Sequence, residues 1–246
     1  MLDAIKRWIS GGPHSRDWAA LSGWAQQQGH GFKRARDDEG FVIDGNFGER
    51  SWRLEWGPPQ RAYIAGHELR VRMELQLSSN LQMLLMTRAL MESLERETFE
   101  RYTQSNQTLI DVSTPEEMRW LAMFPKVQLP DTPRELRSRF AAVASDAKTA
   151  LHWIDPAFTL QLAAASGRFL SDDPPFVLMT LRGRLYMRVQ MDEPKPTTVA
   201  PLVTLFQIAA QAAMSLRSSA KDAAEWPTTS STAWTDLGPD NPKPGR

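Results

Sequence analysis

The chain has no cysteine among its 246 residues. Disulfides, thiolate metal sites and cysteine nucleophiles are excluded together. The absence fits a reducing compartment, so a cytoplasmic location is expected. Net charge is also missing, because 29 Lys and Arg balance 29 Asp and Glu. No bulk field therefore draws the chain to nucleic acid or to anionic lipid. Histidine is scarce: His14, His30, His67 and His152 are the only four. None stands at metal-ligand spacing from another or from a carboxylate pair. Phosphate-loop, dinucleotide, nucleophile-elbow and kinase patterns are absent as well. No catalytic residue, cofactor-binding residue or metal ligand is assigned, and no cofactor is implied.

Long apolar runs are few. Lys6 and Arg7 interrupt the N-terminal apolar residues, so no signal peptide is expected. Pro196–Leu216 is uncharged but carries Pro201, Gln207 and Gln211. It reads as a buried helix, with lipid insertion as the alternative, and no transmembrane segment is expected.

What is present is alternation. Apolar and charged contents of 41% and 24% suit a soluble globular chain. Phe41, Ile43 and Phe47 mark one strand. Trp52, Leu54 and Trp56 alternate with Arg53 and Glu55 in a second, at the period of a half-buried strand. Gly57-Pro58-Pro59 breaks the pattern, Tyr63 and Ile64 resume it, and Gly66-His67 fits a two-residue turn. Leu69, Val71, Met73, Leu75 and Leu77 then oppose Arg70, Arg72 and Glu74. Residues 40–77 thus predict a four-stranded antiparallel meander with one oily face and one wet face.

Helices are predicted around it. Leu2, Ile5, Trp8 and Ile9 form a first, docked on the core or alternatively on a membrane or partner. Ser15 caps a second, closed near Gly29 and Gly31, and 34–39 is a charged connection. Ser79 or Asn80 opens a long helix reaching about Tyr102, whose methionines (Met83, Met86 and Met91) read as core filler. Thr114-Pro115-Glu116-Glu117 and Thr132-Pro133-Arg134-Glu135 each read as a capping box, with 126–130 as a linker between the two halves of the chain. Residues 140–144 read as a strand, with continuation of the preceding helix as the alternative, and Asp146 and Asp155 as helix caps.

A second hairpin follows: Val177, Met179 and Leu181, then Arg182-Gly183, then Leu185, Met187, Val189 and Met191. Its last strand echoes Leu69 to Leu75, and each of the two strands reads as feeding a long apolar helix. The fold class expected is α+β: antiparallel sheets covered by long helices, as two pseudo-repeated sheet-plus-helix units or as strings alike by chance. The divisions are N-terminal helices at 1–30, meander plus long helix at 31–125, a second α+β unit at 126–218, and a disordered tail at 219–246 holding Trp226 and Trp234.

The wet faces offer the one binding surface that the sequence suggests. Arg53, Arg70 and Arg72 stand on the first sheet, and Arg184 and Arg188 on the second. Arginines on a sheet can hold a partner or single-stranded nucleic acid. Glu55, Glu68 and Glu74 alternate with them, which is equally the pattern of ordinary cross-strand stabilisation.

The block Gly45-Asn46-x-Gly48 through Trp52-Arg53-Leu54-Glu55-Trp56-Gly57-Pro58 to Tyr63-Ile64-x-Gly66-x-Glu68-Leu69-Arg70 resembles a family of uncharacterised bacterial proteins. Phe140 and Ser145-Asp146 through Leu151 to Asp155-Pro156 resemble a second such pattern. The resemblance implies an α+β module over about residues 40–190 and transfers no catalytic residue. The function expected is a non-catalytic interaction or scaffold module with a protein partner. An enzyme of unrecognised class is one alternative; a binder of nucleic acid or membrane surfaces is the other, nucleic acid being the less favoured.

Overall fold

Tryptophans at every second position of Trp52-Leu54-Trp56 can be buried together only if the chain is extended. The computed structural model describes residues 18–35, 40–104, 114–129 and 131–224 and bears this out, with all three below 3% exposed. In chain order the elements are α1 (Ala19–Gln27), β1 (Gly31–Arg34), β2 (Phe41–Phe47), β3 (Arg50–Gly57), β4 (Glu68–Glu74) and β5 (Met83–Thr87). Then come α2 (Arg88–Gln104), α3 (Glu116–Met123), β6 (Lys126–Val127), α4 (Arg134–Arg139) and β7 (Phe140–Ala144). The last are α5 (Ala147–Trp153), α6 (Pro156–Ser166), β8 (Phe176–Leu181), β9 (Arg184–Gln190) and α7 (Pro196–Ala224).

All nine strands join one antiparallel sheet in the order β1-β2-β3-β4-β9-β8-β5-β7-β6. The α+β class stands. The two separate sheets do not: the echoing strands β4 and β9 are neighbours, with Leu69 opposite Val189 and Met73 opposite Leu185. The sequence divided at residue 125 contributes to a single sheet, since β5 pairs with both β7 and β8.

Turn chemistry explains the hairpins. Leu181 pairs with Arg184, leaving Arg182 and Gly183 at φ 50° and 79°, both left-handed as a type I′ turn requires. Gly48 opens the β2–β3 turn at φ 59°. The strand expected at Tyr63-Ile64 and the turn at Gly66-His67 are not formed. Pro58 and Pro59 offer no N–H to a ladder, and pairing resumes only at Glu68, opposite Gly57. The fourth strand beside this ribbon is β1, taken from the stretch expected as helix end and connection.

The helix expected from Ser79 or Asn80 is preceded by a strand. Every residue of β5 is buried, on both sheet faces, and the helix begins at Arg88. A short apolar run without alternation suits a doubly covered strand as well as a helix. The linker at 126–130 contains the edge strand β6. Neither capping box forms: α3 and α4 start after Pro115 and Pro133 with no side-chain cap. Asp146 and Asp155 do cap, accepting from Lys148 and Thr149 and from Phe158 backbone N–H groups. The helix α7 runs to Ala224, past the expected start of the tail. The remainder of that tail, the first helix and the Ser15 cap lie outside the described residues.

One sheet face carries the main core. Phe41, Leu54, Val71, Met187, Leu178 and Leu85 meet α1, α5, α6 and α7 there. Trp153 Nε1 donates to the Ala209 carbonyl at 3.0 Å, tying α5 to α7. Pro196–Leu216 is apolar enough to cross a membrane, and Val199, Leu202, Phe206, Ala209 and Ala213 along it are fully buried against this core.

Candidate binding surface

The opposite sheet face is divided. Over β5, β7 and β8 it is apolar: Leu84, Met86, Val143, Val177 and Met179 pack under Leu90, Met91 and Leu94 of α2 and Met118 and Trp120 of α3. Over β2, β3, β4 and β9 the outward positions are mostly polar; α3 reaches them at Tyr186 and Arg188, and the part around Arg53, Arg72 and Arg184 is left open.

The structure brings all five arginines onto this one face of one sheet, rather than onto two sheets: Arg53, Arg72 and Arg184 are open, while Arg70 and Arg188 lie beneath the loop 58–67 and Glu117 of α3. Cross-strand pairing places Asp44 beside Arg53, Arg53 beside Arg72, and Arg72 beside Tyr186. The next row runs Glu55, Arg70, Arg188. On the other side of the first row, Glu74 faces Arg184. Two like-charged pairs, Arg53–Arg72 and Arg70–Arg188, therefore stand directly opposite each other, an arrangement that destabilises a sheet unless something neutralises it.

Arg70 and Arg188 are neutralised from within. Both hold the fully buried Glu68, Arg70 at 3.4 Å and Arg188 by a short ion pair. Glu68 also accepts from the Gln60 backbone N–H at 2.6 Å. Glu117 of α3 is fully buried beside them, accepting from Tyr63 Oη at 2.9 Å and Arg61 Nε at 3.1 Å. Burial, then the charge and hydrogen bond of Glu117, push the Tyr63 phenol well above its usual range. Arg61, Tyr63, Glu68 and Glu117 fasten α3 and the loop 58–67 to the sheet. The sequence reading missed this cluster: Glu117 stood at a capping-box position, and nothing local marks a glutamate whose partners lie more than fifty residues away.

Around Arg53 and Arg72 the balance differs. Arg53 pairs with Glu55 at 2.7 Å and Asp44 at 3.4 Å. Asp44 is shared with Lys33 at 3.6 Å. Arg184 pairs with Glu74 at 2.6 Å. Arg72 is exposed and has no hydrogen-bond or ion-pair partner among the described residues. Burial pushes the Glu55 carboxyl up, but the Arg53 hydrogen bond and the charges of Arg70, Arg53 and Arg72 outweigh it and hold the group below its usual value.

The surface is concave. A hollow of about 560 Å³ is lined by Asp44, Ser51, Arg53, Arg72, Glu74 and Arg184, and a smaller one of about 110 Å³ shares Arg53 and Arg72 with it. A different groove of about 530 Å³ lies between α5 and α6, where Leu151 and Leu160 are exposed.

Among the described histidines, His152 lines the groove between α5 and α6. His67 stacks on Trp56 at 4.5 Å and meets Asp192 at 3.3 Å. His152 is exposed and contacts the Lys148 carbonyl at 2.9 Å. Among the described residues, no three His, Asp or Glu side chains converge as metal ligands. No family model matches the chain, and no curated protein or solved structure matches it either.

Proposed function

We propose that the protein is a non-catalytic interaction module that receives a protein partner on the uncovered half of its sheet. One observation carries this reading. The helices close the apolar half of that face and leave open a concave part where Arg53 and Arg72 face each other, with Arg72 in no hydrogen bond or ion pair among the described residues. A sheet selected only for its own stability would place a carboxylate opposite Arg72. A partner that supplies the missing acceptor accounts for the pair. Binding is favoured over turnover because the two buried carboxylates, Glu68 and Glu117, are engaged by arginines and line neither hollow.

The test compares two immobilised baits, wild type and Arg72→Glu, with retained proteins quantified by mass spectrometry. The reading expects a stoichiometric protein retained by wild type and lost from the variant. Equal retention by both baits would contradict it.

A further inference from the structure

On the reading just given, we propose that the uncovered face recognises an acidic, extended polypeptide segment, with carboxylates of the partner seated on Arg72, Arg53 and Arg184. The first support is charge. On its open part four cations, Lys33, Arg53, Arg72 and Arg184, stand against three carboxylates, Asp44, Glu55 and Glu74, while Arg70 and Arg188 are held from within by Glu68 and by Glu117 of α3. The chain as a whole is neutral, so the cationic excess is a property of this face.

The second support is spacing. Arg72 is opposite Tyr186, and Arg184 lies two residues further along that neighbouring strand. Such diagonal positions are about 7–8 Å apart. Alternate residues of an extended chain project to the same side about 6.6 Å apart. Two acidic residues separated by one therefore reach Arg72 and Arg184 together. A carboxylate above the Arg53–Arg72 pair also cancels the repulsion built into it, through the fork geometry guanidinium groups offer to carboxylates.

The third support sets nucleic acid aside. Sequence-tolerant binding of single strands relies on aromatic faces on which bases stack. The tryptophans of β3 point to the opposite, buried face. Among the described residues of the uncovered strands, the one outward aromatic is Tyr186, half-buried against the apolar cluster under α2 and α3.

The experiment is fluorescence anisotropy with the full chain, using labelled poly-L-glutamate and, in parallel, labelled oligodeoxythymidine of equal charge. Poly-L-glutamate is expected to bind more tightly than the oligonucleotide and to weaken as salt rises. Arg72→Ala should reduce its affinity about tenfold, the loss of one charge-assisted contact. The pair Arg53→Ala with Arg72→Ala should reduce it further, and Arg72→Lys should fall between Arg72→Ala and wild type. Arg168→Ala, on an exposed position after α6, should change nothing. Circular dichroism of each variant establishes that it is folded. No binding of poly-L-glutamate, or equal binding by the Arg53 and Arg72 double variant, overturns the proposal. Tighter, arginine-dependent binding of the oligonucleotide overturns the acidic-polypeptide chemistry. If a protein captured by the bait requires Arg72 while poly-L-glutamate fails to bind, the surface stands and its proposed chemistry falls.

Discussion

At the scale of single residues, close approach decides more than charge does. Gly40 has no room for a side chain: a Cβ there would stand 2.3 Å from the Trp56 carbonyl oxygen, a backbone atom that cannot swing aside. Gly40→Ala should destabilise by about 1–3 kcal/mol, as overpacking does. Gly23 lies inside α1 with nothing near its missing Cβ. Gly23→Ala should stabilise by about 0.5–1 kcal/mol, the helix penalty of glycine. Urea denaturation of the two variants reads both signs, and a shared sign contradicts the packing described. Glu55 supplies a pH signature. Its folded carboxyl titrates below the ordinary value of 4.5, so its stabilising contribution is complete above that value and is lost as pH falls through the lowered one. Glu55→Gln should be less stable than wild type at neutral pH. The gap should close in acid. A gap that widens in acid contradicts the assigned direction.

At the scale of elements, α3 is secured by ions as well as by oil. Met118 and Trp120 pack on the sheet while Glu117 grips Arg61 and Tyr63. Removing that carboxylate strands a guanidinium and a phenol that are both partly buried. Glu117→Ala should cost about 2 kcal/mol or more, against about 1 kcal/mol for Tyr63→Phe. Denaturant midpoints order the two variants, and a Tyr63→Phe cost above that of Glu117→Ala would overturn the clamp. The same elements show what could be read in the chain beforehand. The strands at Trp52-Leu54-Trp56 and Leu185-Met187-Val189, the Arg182-Gly183 turn and the Asp146 and Asp155 caps were legible because their signals are local. The strand β5 was not, because a stretch buried on both sheet faces has no alternation to read. Glu117 was legible only as a cap, since its partners are brought to it by the fold. The five arginines were recognisable by their period, but their union on one face depends on β4 pairing with β9, which no local pattern states.

At the scale of the whole molecule, one sheet serves two layers of helices unequally. The main core seals one face from β1 to β7, while α2 and α3 seal only part of the other. The part left bare is the part bearing the cationic excess. The account therefore places binding there, away from α5, α6 and α7. The most direct measurement is a backbone amide NMR titration of the isotopically labelled full chain with poly-L-glutamate. The account predicts shift changes concentrated on β2, β3, β4 and β9 around Arg53, Arg72 and Arg184, and abolished by Arg72→Glu. Changes centred instead on the Leu151–Leu160 groove of α5 and α6, or unaltered by that substitution, would contradict it.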